Sequence, residues 1–334
     1  MSTTYVPAPA SQLRFGHGRV DITPPAGIYQ GLWGAARHER STGIHRPLVG
    51  DVLIFQDVAG ACEPTIRAQL DQSMLAHEQF ERLRQALSDE SGVRPERVEV
   101  TISHTHAAGR FLPDRLHLPG GDLIAPYLQR LEVSIREACR AALASVGEVT
   151  ITYGIGRCSL AANRDYWDAA RDLYACGYNP DAPADDTLVV GRITGAGGAI
   201  VATIINYACH PTPLAYENSL ISPDYLGAAR ATVESSTGAP CIFLLGACGD
   251  LGPRDGYTGE TALADRNGRQ VGYAALSALE SLGPPRTDHE YCGPLISGAT
   301  LAVWQHVPWS ANRGEQVRRF AGGAQRAAGI FAHH

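Results

Sequence analysis

Two histidines one residue apart, His104 and His106, close the run Arg97-Val-Glu-Val-Thr-Ile-Ser-His-Thr-His106. Val98, Val100 and Ile102 alternate with polar residues, the period of a half-buried β-strand. Side chains two apart on a strand share a face, so the spacing predicts two imidazoles projecting together. Neutral imidazole is a preferred zinc ligand, and two in one direction make half a site. His210 ends a second apolar run, Ile200-Val-Ala-Thr-Ile-Ile-Asn-Tyr-Ala-Cys-His210. Catalytic zinc sites draw three protein ligands and keep a position for water, so the chemistry suggested is metal-assisted hydrolysis. With 12 histidines in the chain a His-x-His pair also arises without function. The position of His210 at another strand end is what favours the metal reading.

The elements that must hold these residues follow from periodicity and breakers. Residues 1–14 read as a flexible tail, Phe15 to Ile22 as a strand and Val52 to Phe55 as another. Pro64 is expected to open a helix carrying Ile66, Leu70, Met74, Leu83 and Leu87, closed by Gly92. Residues 107–122 form a Gly/Pro-rich loop, and a second helix runs from about Leu123 to Val146. Val149 to Ile155, Asp185 to Thr194 and Ala199 to Ala208 read as strands, the last two joined through Gly195-Ala-Gly-Gly198 as a hairpin. Ser222-Pro223-Asp224 has the chemistry of a helix start: a capping hydroxyl, proline at the first position and an acid in the first turn. Cys241 to Leu245 is a buried strand, followed by the loop 246–254, and a last helix spans about Ala262 to Leu282. Alternating strands and helices with one hairpin give an α/β fold, a mixed β-sheet packed with helices. A single catalytic-type domain over residues 15–305 is expected, with an irregular tail at 306–334.

Composition narrows the function classes. The 334 residues carry a net charge of −6, from 28 Lys and Arg against 34 Asp and Glu. No basic stripe is present, which argues against a nucleic-acid partner. The opening Met1-Ser-Thr-Thr-Tyr-Val-Pro-Ala-Pro-Ala10 lacks a basic n-region and an apolar h-region, and no apolar stretch is long enough for a transmembrane segment. A cytoplasmic chain is expected. The eight cysteines include no CxxC pair, so free, largely buried thiols are expected. Cys209 on a strand faces away from His210 and is not a ligand candidate.

In chain order, Phe15-Gly-His-Gly-Arg-Val-Asp-Ile-Thr23, Thr42-Gly-Ile-His45, Ser103-His-Thr-His106 and Asn163-Arg164 are followed by His210-Pro-Thr-Pro-Leu214, Leu220-Ile-Ser-Pro-Asp224 and Gly249-Asp-Leu-Gly-Pro253. This ordered set resembles the neutral/alkaline (non-lysosomal) ceramidase family, zinc amidases that cleave the N-acyl bond of ceramide. The resemblance implies His104 and His210 as zinc (Zn2+) ligands. It implies His106 in contact with the substrate or its developing oxyanion, and Arg164 in the site near the substrate. Asp250 is a candidate base or histidine partner, with a turn-capping role as the plain alternative. For Arg164 the plain alternative is a salt bridge to Asp165; His45 is expected to make a structural hydrogen bond.

Three departures accompany the resemblance. The family's serine in the Gly-Asp-x-Ser-Pro loop is Gly252 here. The family's remaining ligands, a glutamate and a tyrosine, come from a segment beyond the last residue of this chain, as in a C-terminally truncated member. Leu48 to Asp57 shows one apolar run where the family has a hairpin of two. The expected function is a zinc-dependent amidohydrolase acting on a small amphipathic N-acyl amide or ceramide-like lipid. The alternatives are a water-using metal esterase or amidase on another substrate, and an inactive remnant that binds metal or lipid. Whichever holds, zinc binding is expected to weaken as histidines protonate below ~6.5.

Overall fold

The computed structural model describes residues 4–310. Strands β1 (Tyr5–Val6), β2 (Ala10–Asp21), β3 (Gly43–Ile44), β4 (Val49–Gln56) and β5 (Thr65–Leu70) precede helix α1 (His77–Ser91) and strand β6 (Val98–Ile102). Helix α2 (Ile124–Ala144) leads into β7 (Gly147–Arg157), β8 (Ala161–Asn163), β9 (Asp165–Asp168), β10 (Leu173–Cys176), β11 (Thr187–Gly195) and β12 (Ile200–Tyr207). Then come β13 (Leu220–Ile221), α3 (Tyr225–Thr237), β14 (Cys241–Leu245), β15 (Leu251–Pro253), α4 (Thr261–Glu280), β16 (Thr287–Ser297) and β17 (Ala299–Pro308).

Eight strands form the central sheet in the order β14-β12-β11-β7-β2-β4-β5-β6. Its two ends are parallel pairs, β12 with β14 and β5 with β6, and the strands between are antiparallel. The mixed α/β architecture read from the sequence is therefore the one found. Alternation assigns the faces. Val52 and Ile54 of β4 pack with Ile66, Val98 and Val100 beneath Leu83 of α1 and Leu131 and Ile135 of α2. Val190, Ile205 and Phe243 pack beneath Tyr225 and Val233 of α3 and Val271 of α4. Two helix pairs thus cover the two halves of one face.

The other face buries Phe15, Leu53, Ile151, Ile193 and Ile242. Arg19 of β2 donates to the carbonyl of Cys241 on β14 at 2.7 Å. In a flat sheet, strands four places apart lie about 19 Å from each other. One arginine spans the gap only because the sheet curls onto itself. Arg19 also binds the buried Asp51 and reaches Glu234 of α3, clasping the curl. Glycines at 16 and 18 let α2 approach β2: a Cβ at either would overlap the carbonyl oxygen of Ala142 or Ala138.

The structure corrects several boundaries. Residues expected in a flexible tail are in β1 and the first part of β2, which begins at Ala10. The segment after Pro64 is strand β5, not the first turns of a helix, and it completes a β4–β5 hairpin. That hairpin supplies the second apolar run missing from the sequence reading. At the far end β16 and β17 form an antiparallel hairpin through Pro308, so residues 306–308 are strand; the expected tail from 311 lies outside the described residues. All eight cysteines are free; Cys62, Cys176 and Cys292 are exposed rather than buried. Among the described residues no helix is long and apolar enough to cross a membrane.

Candidate metal centre

The site is built at the ends of the parallel pairs, the usual place for ligands in sheets with parallel strands. His104 follows β6, His210 follows β12, and the loop carrying Cys248 and Asp250 follows β14. The three rings of His104, His106 and His210 converge, with centroids 4.8 to 5.2 Å apart. One ligand nitrogen from each lies within 4.8 Å of the others, a group able to hold a metal ion. His104 and His210 come together as expected, though not by strand alternation. β6 stops at Ile102; His104 has a left-handed backbone (φ 57°) and His106 starts a single helical turn. The kink between them, not the pleat, aims both rings inward.

Hydrogen bonds fix the tautomers. Nδ1 of His104 lies 2.7 Å from the carbonyl of Ser73, and Nδ1 of His210 lies 3.1 Å from the carbonyl of Cys248. A carbonyl only accepts, so both Nδ1 atoms carry the hydrogen and both Nε2 atoms present lone pairs. Carbonyl-anchored imidazoles of this kind are the usual outer support of metal-binding histidines. The Nε2 atoms of His104 and His106 are 3.3 Å apart. Two nitrogens at ~2.0–2.1 Å from a tetrahedral zinc are separated by about 3.3 Å, the spacing of this pair; with the His210 ligand nitrogen within 4.8 Å of both, the three imidazoles are a donor set that fits the ion.

Electrostatics favour the neutral form of His106 and His210. Burial, then the neighbouring His104, His210 and Arg164, push His106 down to about 3. Burial also lowers His210, with Arg164 and His104 adding to it and the Cys248 carbonyl opposing. Acid must therefore reach below the ordinary histidine range before these two rings charge.

Arg164 packs against the cluster, its guanidinium 3.3 Å from Nδ1 of His210. Since that nitrogen carries a hydrogen, the contact is a cationic neighbour rather than a hydrogen bond. The Nε of Arg164 is buried without a partner. No plain salt bridge to Asp165 accounts for this arginine; its own N–H is held by the Asp250 carbonyl at 3.0 Å. Asp250 is exposed, and its carboxylate is not the partner of the cluster: His104 and His210 bond to carbonyls, and His106 approaches His104.

Asp224 is fully buried and serves the loop after His210. Its carboxylate accepts from the N–H of Leu214 at 2.9 Å and caps α3 by accepting from Tyr225 N–H at 2.5 Å. The helix start thus lies two residues later than Ser222 suggested. Burial raises the Asp224 carboxyl to about 7. Ser222 instead pairs with Nδ1 of His45 at 2.9 Å, a structural bond of the kind expected there.

Sequence reasoning missed two aromatic walls. Trp33 lies against His106 with centroids 5.1 Å apart, and Tyr257 meets the Trp33 ring edge-on at 6.5 Å. Both come from Gly-flanked loops, Gly31-Leu-Trp-Gly34 and Gly256-Tyr-Thr-Gly259, whose only signal is an aromatic between glycines.

No protein-family model and no curated protein sequence matches the chain. Among solved structures it is similar to neutral ceramidase from Pseudomonas aeruginosa, with a TM-score of 0.67 and 19% identity over 84% of this chain and 47% of that one. A ceramidase complexed with C2 matches with the same TM-score, 0.67, and 19% identity, over 84% of this chain and 46% of that one. The chain spans a little under half the length of these structures. The likeness extends across most of the described sheet and its helices, and the chain has a neutral ceramidase-like fold.

Proposed function

We propose that this protein is a zinc-dependent amidohydrolase that cleaves an N-acyl amide, with a ceramide-like lipid as its substrate class. The observation that carries the reading is the convergence of His104, His106 and His210 with the Nδ1 atoms of two of them committed to carbonyls. His104 and His210 would hold the zinc, and His106, the third ring of the cluster, would contact the substrate or its developing oxyanion. Zinc, when bound, polarises a carbonyl and acidifies water. Gly252 offers no hydroxyl, so water is the nucleophile. Asp250, exposed beside Arg164, is the proposed acceptor of the proton that water loses, and the departing amine nitrogen takes up a proton as the C–N bond breaks. Arg164 supplies the fixed positive charge facing the oxygen on which negative charge develops.

The test is turnover of a fluorescent N-acyl amide by zinc-loaded protein. Hydrolysis that disappears in His104→Ala and in Arg164→Ala is expected. A zinc-loaded protein that turns over neither N-acyl amides nor esters would contradict the proposal and leave a metal-binding protein without hydrolysis. Gly252 in the loop after β14 is the observation favouring a substrate other than ceramide.

A further inference from the structure

Tyr257 is a bulky residue with a left-handed backbone, φ 62°. Side chains of this size avoid that region, and surrounding structure must impose it. Here the imposition is visible: Tyr257 N–H is held by the Thr212 carbonyl at 3.2 Å, and Thr258 N–H by the Pro213 carbonyl at 3.0 Å. Both acceptors belong to the segment leaving His210. The strained turn is therefore tied to a proposed ligand, and it sends the phenol inward.

A Cβ at residue 252 would overlap the hydroxyl, so glycine there leaves room for the phenol in this position and any side chain would displace it. That same Cβ position is 3.5 Å from Cβ of Arg164, which puts the hydroxyl beside this arginine. On its other side the ring meets Trp33, which lies against His106. The hydroxyl's protein partners are the Cys176 thiol at 3.8 Å and the Thr212 hydroxyl. A contact to sulfur at that distance is weak, so the O–H can turn toward a better acceptor.

We propose that Tyr257 is a catalytic residue whose hydroxyl donates a hydrogen bond to the substrate carbonyl oxygen as negative charge develops there, alongside Arg164. The assignment rests on the hydrolase reading above. Burial keeps the phenol above its ordinary range, and thus protonated and able to donate. A serine at 252 would displace the Tyr257 hydroxyl from this position; this chain carries its hydroxyl on the longer arm.

The experiment uses zinc-loaded full-length protein as wild type, Tyr257→Phe, Gly252→Ser and the double variant. Turnover of a fluorescent N-octanoyl amide and binding of octanoate, the carboxylate product, are both measured, with zinc affinity as control. Loss of one oxyanion donor lowers kcat by about 10²-fold, with KM held within about twofold. Octanoate binding weakens about tenfold in Tyr257→Phe while zinc affinity stays unchanged. The double variant, with a serine hydroxyl in the vacated space, recovers about tenfold in kcat over Tyr257→Phe. A Tyr257→Phe enzyme with kcat and octanoate affinity within about twofold of wild type, or with KM alone altered, overturns the proposal. Octanoate binding that depends on Tyr257 in a protein without turnover would overturn the hydrolase reading while retaining Tyr257 as the donor of a binding site. Neither turnover nor octanoate binding overturns both.

Discussion

The carbonyl of Ser73 accepts the Nδ1 hydrogen of His104 at 2.7 Å, and this one bond decides which nitrogen of His104 faces the cluster. Ser73 is itself placed by the segment after β5. Two residues earlier Asp71 forms a buried two-point ion pair with Arg230 of α3, at 3.1 and 2.6 Å, and also accepts from Val49 N–H at 3.0 Å.

Asp71→Ala would leave the Arg230 guanidinium buried without its partner. Breaking a buried pair from one side costs ~3–5 kcal/mol. Urea denaturation should show that loss, and zinc affinity should fall about 10- to 100-fold as the support of His104 loosens. A variant within about 1 kcal/mol of wild type and with unchanged zinc affinity would show that the pair does not support the site.

Gly252→Ser is expected to cost stability and to create no new activity. The added atoms overlap the Tyr257 hydroxyl, and overpacking of this kind costs ~1–3 kcal/mol. A lowered melting temperature with no gain in hydrolysis is the expected result. Enhanced turnover in this single variant would show that an absent serine was the sole defect.

Asp224 makes stability depend on pH in a direction opposite to most carboxylates. Burial raises its folded value to about 7, against ~3.9 for the unfolded chain. The folded state therefore holds more protons between these values, and stability is lost as pH rises through that window. Between pH 5 and 8 the loss is about 2–3 kcal/mol. Asp224→Asn cannot titrate, although it forfeits an acceptor for one of the two N–H groups. Urea midpoints at both pH values should show the gap between wild type and Asp224→Asn narrowing toward pH 8. A constant gap would contradict the raised carboxyl.

The reach of the sequence follows from where periodicity operates. Helices α2 and α4 were legible because one face of each is apolar at helical period, and strands β12 and β14 because each is a short apolar run buried on both faces of the sheet. The segment 65–70 was not: Ile66 and Leu70 are four apart, which satisfies both a helix face and a strand face. Ala68, the residue that completes the buried strand face, is too small to mark the alternation. The β16–β17 hairpin is solvated on much of both faces and so lacks a pattern. His104, His106 and His210 were found through their strand ends, yet the kink that aims the first two is a property of one φ angle. Trp33 and Tyr257 approach from loops distant in sequence, where no local pattern records the contact. Arg164 was found only through the ordered motifs.

The most direct test of the account is zinc titration by calorimetry on wild type, His104→Ala and His210→Ala, at pH 7.5 and 5.5. One zinc per chain is expected for wild type, with affinity lost in either variant because each removes a carbonyl-anchored Nε2. Because burial lowers His106 and His210, affinity should decline only below the ordinary histidine value of ~6.5. Tight zinc binding that survives both His104→Ala and His210→Ala would locate the metal elsewhere and contradict the centre on which the function rests.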